Sequence, residues 1–126
     1  MAILIGSLMQ RLATITGISA TATGSTLLYT VPAGKTLVVI GVIPTVTAQT
    51  SATVGATAQV ETSPAAADIF PSDLMTGLLA VNDDWTFWAG AKGIVVPAAG
   101  TVSFNITVAA TATSQTLSVD LIGYLK

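Results

Sequence analysis

Cysteine and histidine are both missing from this chain of 126 residues, which carries only four basic and six acidic side chains. Without cysteine there is neither a disulfide staple nor thiol chemistry. Without histidine the usual general base at neutral pH is gone, and with it the commonest metal ligand. Charged residues make up 8% of the chain, against roughly 25% in an ordinary soluble domain. The four bases, Arg11, Lys35, Lys92 and Lys126, are dispersed, so they cannot neutralise a run of phosphates, and a nucleic-acid partner is not expected. Long apolar runs are lacking too. The N-terminal stretch from Met1 to Met9 ends at Gln10 and Arg11, well short of the ~20 apolar residues a spanning helix needs. Its arginine follows the apolar run, whereas a signal peptide places its bases first. No targeting segment and no membrane partner are expected, and the aromatic girdles of a membrane barrel are not there either.

What is present is apolar and small. Hydrophobic residues reach 52% and the mean hydropathy is +0.79, which excludes a disordered chain. The length suits a single domain, large enough to bury a core unaided. So apolar and weakly charged an exterior calls for cover by partners.

The residue types favour strands. Threonine, valine and isoleucine are plentiful, while the helix formers Glu, Lys, Gln and Arg are scarce. From Thr101 to Val108, the residues Val102, Phe104, Ile106 and Val108 fall on one face. From Thr116 to Tyr124, Leu117, Val119 and Leu121 alternate with Ser118 and Asp120. Thr53 to Val60 alternates as well, with Val54, Ala56, Ala58 and Val60 on one side. Period two marks a strand with one buried face. Leu27 to Val31 and Thr36 to Ile43 are near-continuous apolar runs, which reads as burial on both faces.

Between those runs lies Val31-Pro32-Ala33-Gly34-Lys35-Thr36, a tight turn by its proline and glycine. Val96-Pro97-Ala98-Ala99-Gly100-Thr101 repeats the phrase with one extra alanine, so the pattern predicts two similar antiparallel hairpins in one sandwich. Ser63 to Gly77 reads as a loop with one helical turn at Ser72 to Met75, capped by Ser72. Asn82-Asp83-Asp84 marks another turn. At the start of the chain, residues 1–17 are expected to form an N-terminal arm, extended and leading into a strand, ahead of a β-sandwich domain over 18–126.

Candidate chemistry is sparse. Lys35 and Lys92 each adjoin a glycine in a turn and read as solvated surface lysines, not as partners of a nucleophilic serine. Asp83 and Asp84 are adjacent and would point to opposite faces of a strand; turn chemistry explains them better than paired-carboxylate hydrolysis. Glu61 and Asp68 could approach them only through the fold, and no EF-hand spacing offers a calcium loop. Gly34-Lys35-Thr36 imitates the end of a phosphate loop but lacks the upstream glycine and the following helix. No enzyme activity, metal or cofactor is expected. Trp85, Phe87 and Trp88 stand out in a chain with only 6% aromatics. With Phe70 they suit a core, a protein interface or a sugar-stacking surface.

Several strings resemble those of small virion structural proteins of bacteriophages, of the capsid decoration (cement) type. Leu28-Tyr29-Thr30-Val31-Pro32-Ala33-Gly34-Lys35-Thr36 is similar to their turn into a long apolar strand, and Ser63-Pro64-Ala65-Ala66-Ala67-Asp68 to their mid-chain loop. Val95 to Phe104 resembles their second turn, and Ser118 to Leu125 their closing strand. The resemblance runs from Leu27 onward; the stretch Trp85 to Trp88 departs from it. It implies an all-β antiparallel sandwich or jelly roll, often trimeric, placed on the capsid surface of a virion with the major capsid protein as partner, or else in a tail or fibre. The expected interface residues are Ile3, Leu4, Ile5, Leu8, Met9 and Arg11 of the arm, with Phe70, Trp85, Phe87 and Trp88. A carbohydrate-binding adhesion module is the alternative from another class.

Overall fold

The computed structural model describes residues 9–62, 67–90 and 92–126. The strands are β1 (Gln10–Ser19), β2 (Gly24–Thr30), β3 (Leu37–Thr50), β4 (Thr57–Glu61), β5 (Phe70–Leu74), β6 (Phe87–Trp88), β7 (Ile94–Val96), β8 (Thr101–Val108) and β9 (Ser114–Leu125). No helix occurs among the described residues. The helical turn expected at Ser72 to Met75 is therefore corrected: Phe70–Leu74 is a strand that pairs with β4. Its Pro71 is tolerated because β5 is a sheet edge, where a missing N–H breaks no ladder.

Two antiparallel sheets result. The first has the order β1-β9-β3-β6, with β7 also on β3; the second runs β2-β8-β4-β5. Trp88 lies opposite Gly41 and Ile94 opposite Val39, so β6 and β7 lie end to end along β3, separated by an excursion to which the described residues 89, 90, 92 and 93 belong. Counting that pair as one strand leaves nested partners: β1 with β9, β2 with β8, β3 with β6 and β7, and β4 with β5. A long hairpin wound over itself in this way is a jelly roll, the architecture expected from the sequence.

The core is where the two alternations meet. Val102, Phe104 and Ile106 of β8 face Leu117, Val119 and Leu121 of β9, all buried. Each such side chain contributes about 1.5–3 kcal/mol by leaving water. Phe70 and Phe87 pack with ring centroids 5.7 Å apart, and Phe87 meets Phe104 edge-on at 6.4 Å. β3 is buried on both faces, as its unbroken apolar run predicts. Leu37, Val39, Val42 and Val46 join the central core. Val38 and Ile40 are buried as well, under the excursion. A Cβ added at Gly93 would lie 2.4 Å from Val38 Cγ1 and 3.0 Å from Ile40 Cδ1, so glycine is what allows the excursion to sit this close.

The two Pro-Ala turns differ from the expected hairpins. Each carries the chain from one sheet to the other, β2 to β3 and β7 to β8. They also lie side by side: Val31 N–H donates to Gly100 O at 2.9 Å, and Ala99 N–H to Val31 O at 3.0 Å. The nesting requires this, because strands that pair across the roll must turn its corner together. Pro32 and Pro97 supply carbonyls that accept from Lys35 N–H (3.2 Å) and Gly100 N–H (3.0 Å), so each proline opens its turn. The residue two places on has positive φ in both, +75° at Gly34 and +65° at Ala99. Ala99 thus takes the glycine's place, and there is no inserted residue.

The expected arm boundary at residue 17 falls inside β1. Residues 10–17 belong to the sandwich, with Gln10 opposite Gly123 and Ile15 opposite Val119. Leu12, Ala13 and Ile15 pack against the core, which is why this stretch joins a sheet. Residues 1–8 lie outside the described part.

Candidate interaction surface

The face of the β1-β9-β3-β6 sheet that points away from the core is set by register. One row across it reads Arg11, Ile122, Gly41, Trp88; the next reads Tyr124, Val38, Val95. Trp88 is 56% exposed and Val95 57%, while Ile122 and Tyr124 are half-buried. The Trp88 ring lies over Gly41, where an added Cβ would come within 2.9 Å of its Cε3 and 3.0 Å of Phe87 O. The missing side chain of Gly41 makes the seat for the indole. On the same face Arg11 meets Asp120 at 3.6 Å, and Asp120 also accepts from the Thr14 hydroxyl at 2.6 Å.

The expected interface residues divide. Ile3, Leu4, Ile5 and Leu8 lie outside the described residues. Met9 is half-buried and Arg11 exposed. Phe70 and Phe87 are 7% and 5% exposed and belong to the core. For these two the interface expectation is corrected. Phe87 stands opposite Val42, an inward position, and alternation then turns its neighbour Trp88 outward. Trp85 is partly buried against the core, and its backbone N–H donates to Pro44 O at 3.0 Å. Of the four aromatics Trp88 is the exposed one, Trp85 being intermediate.

The carboxylates are held apart. Asp83 accepts from Leu79 N–H at 3.2 Å and Ala80 N–H at 2.7 Å, which is the turn chemistry expected of it. Asp84 bridges to Thr45 at the sheet edge and is exposed. Asp68 accepts from Thr62 N–H at 2.7 Å and from the Thr62 hydroxyl. Partial desolvation raises its pKa, but the Thr62 hydrogen bonds outweigh this and leave the carboxyl below the ordinary aspartate value. No group of three or more potential metal ligands gathers among the described residues.

One buried polar cluster escaped the sequence reading. Glu61 is fully buried on the outward side of β4, opposite Ser103. It accepts from Gln59 Nε2 (2.7 Å), Ser25 Oγ (3.3 Å) and Asn105 Nδ2 (3.4 Å). Three neutral donors from three strands thus satisfy an acid that has left water. The available signal was the shared parity of Gln59 with Glu61 and of Ser103 with Asn105. A groove of about 300 Å³ opens elsewhere, between β1 and β2, lined by Ile15, Gly17, Ile18, Ser19, Thr26 and Ile106 among others.

Sheet edges are blunted. β1 has register shifts between Arg11 and Ala13 and between Ile15 and Ile18, and β2 one between Leu27 and Tyr29. β5 carries Pro71, and β6 is split from β7 by the excursion that carries Gly93. These are the devices that discourage strand addition. Comparison of the chain with protein-family models, with curated proteins and with solved structures finds no match.

Proposed function

We propose that this chain is a decoration (cement) protein of a bacteriophage capsid, which binds the assembled shell and stabilises it without catalysis. The observation that carries the reading is the union of a jelly roll with a chain 8% charged and 52% hydrophobic. Such an exterior keeps apolar groups such as Trp88, Val95, Val108 and Leu27 in water unless something covers them. The resemblance of the turn and closing-strand motifs to phage virion proteins supplies the identity of the cover, the major capsid protein. A protein that binds only the assembled shell stabilises it by mass action, and many copies bound together multiply weak contacts.

The test mixes purified chain with assembled shells and with unassembled shell protein. Saturable binding to shells alone, with a raised rupture temperature, supports the reading. Equal binding to both forms, or none to either, overturns it. A carbohydrate-binding module is the second reading, favoured by the bare Trp88 ring. It predicts glycan binding that is lost in Trp88→Ala.

A further inference from the structure

The polar cluster on the outer face of the second sheet gathers a hydroxyl, a primary amide and a carboxylate. β2 and β8 place Ser25 directly opposite Asn105. Directly opposed side chains share a face, with Cβ atoms about 4.5–5.5 Å apart. Gln59 of β4 lies opposite Asn105 on its other side, one strand farther from Ser25. Glu61 touches both members of the Ser25–Asn105 pair: the Ser25 hydroxyl donates to its Oε1 at 3.3 Å, and Asn105 Nδ2 to its Oε2 at 3.4 Å. Gln59 Nε2 donates to Oε2 at 2.7 Å. Glu61 is fully buried, Asn105 half-buried and Ser25 exposed. Among the described residues the ion pair formed is Arg11 with Asp120, so no base neutralises Glu61. These are the parts of an acyl transfer: a nucleophile, an electrophile, and a base touching both the proton to be taken and the nitrogen that must leave.

We propose that Ser25 and Asn105 join in an intramolecular ester, with Glu61 as the catalytic base and acid. Glu61 takes the hydroxyl proton as Ser25 Oγ bonds to Asn105 Cγ. The same carboxyl then gives that proton to Nδ2, the Cγ–Nδ2 bond breaks, and ammonia leaves. A hydroxyl and an amide become an ester and ammonia, so no oxidant, metal or co-reactant is required. The reaction runs once per chain and acts on no other substrate. Pairing across two strands supplies the proximity that lets so weak an electrophile react. The contacts of 3.3 and 3.4 Å exceed the about 2.6–3.2 Å of a proton transfer, the looseness usual before the reacting groups close. Gln59 is not the acceptor, because Asn105 stands between it and Ser25. The product ties β2, an edge strand whose sheet neighbour is β8, to that neighbour. In a chain without cysteine the ester constrains the unfolded state as a disulfide would.

Mass spectrometry of the full chain, folded, then denatured and digested, tests the proposal. Trypsin cleaves after Arg11, Lys35 and Lys92, which puts Ser25 in peptide 12–35 and Asn105 in peptide 93–126. The expected result is one species joining both peptides, lighter than their sum by one ammonia. Mild alkali should separate them and leave a carboxylate at position 105. Ser25→Ala should abolish the link, and Ser25→Thr, which keeps a hydroxyl, should retain it. Ser25 is exposed, so both variants fold, and circular dichroism checks them. Glu61→Gln keeps both reacting groups and should lose the link. Separate peptides of unaltered mass from the parent chain, even after prolonged incubation in the folded state, overturn the proposal. So does an ammonia loss that persists in Ser25→Ala, which marks a cyclised asparagine, or a link that forms equally in Glu61→Gln. The assay involves no virion component, so failure of shell binding would sink the capsid reading and leave the ester standing.

Discussion

Gly34→Ala and Ala99→Gly should move stability in opposite directions, although they exchange the same two residues at equivalent places in paired turns. Both positions have positive φ, +75° and +65°. An L-residue there costs about 1–2 kcal/mol through the approach of its Cβ to the carbonyl oxygen. Alanine also has fewer unfolded conformations than glycine, which favours alanine by about 0.4–1 kcal/mol. The difference leaves Gly34→Ala destabilising by about 1 kcal/mol and Ala99→Gly stabilising by about the same amount. Crowding does not confuse the first variant, because nothing lies within 4 Å of a Cβ added at Gly34. For a domain of this size 1 kcal/mol is worth about 4 °C in Tm. Thermal unfolding followed by circular dichroism, at one protein concentration for all three proteins, reads the shifts. If both variants move Tm in the same direction, or Ala99→Gly lowers it, the equivalence of the two turns is refuted.

Phe104→Ala should cost about 3–5 kcal/mol in urea unfolding, because Phe104 is fully buried and edge-on to Phe87; a loss below about 1 kcal/mol would contradict its central place. Asp83→Ala should cost about 0.5–1.5 kcal/mol by removing the acceptor of the Ala80 N–H, the Leu79 N–H keeping the Gly77 carbonyl, whereas the exposed Asp84→Ala should stay below about 0.5 kcal/mol; equal effects would deny the distinction. The Thr62 hydrogen bonds hold Asp68 below its ordinary pKa. Their contribution is therefore complete above about pH 4 and fades as pH falls through the folded value. Urea midpoints should fall with acidity less steeply in Asp68→Asn than in the parent, and identical slopes would contradict the role given to Thr62.

The strands that alternate were legible in the sequence, and the sheets they join were not. Val102, Phe104 and Ile106 announced β8, yet Val108, of the same parity, is exposed beyond the point where the opposite sheet covers the strand. The apolar run Thr36 to Ile43 signals burial on both faces, but what covers its outer side, the excursion carrying Gly93, has no local signature. Tight turns specify a reversal but not whether the chain stays in one sheet, so the Pro-Ala corners resembled hairpins. The aromatic cluster was visible, but its division into core Phe70 and Phe87 and surface Trp88 rests on parity against Val42 and Gly41, a matter of register. Glu61 was hard to read as a buried acid because two of its three donors, Ser25 and Asn105, come from distant strands.

Cryo-electron microscopy of the intact particle tests the central claim most directly. The account predicts this jelly roll at a fixed, high copy number on the outer surface of the shell, with apolar side chains now exposed turned against the shell or against neighbouring copies. Particles whose shell surface lacks it, with the chain found only in the tail or in no part of the virion, would contradict the account.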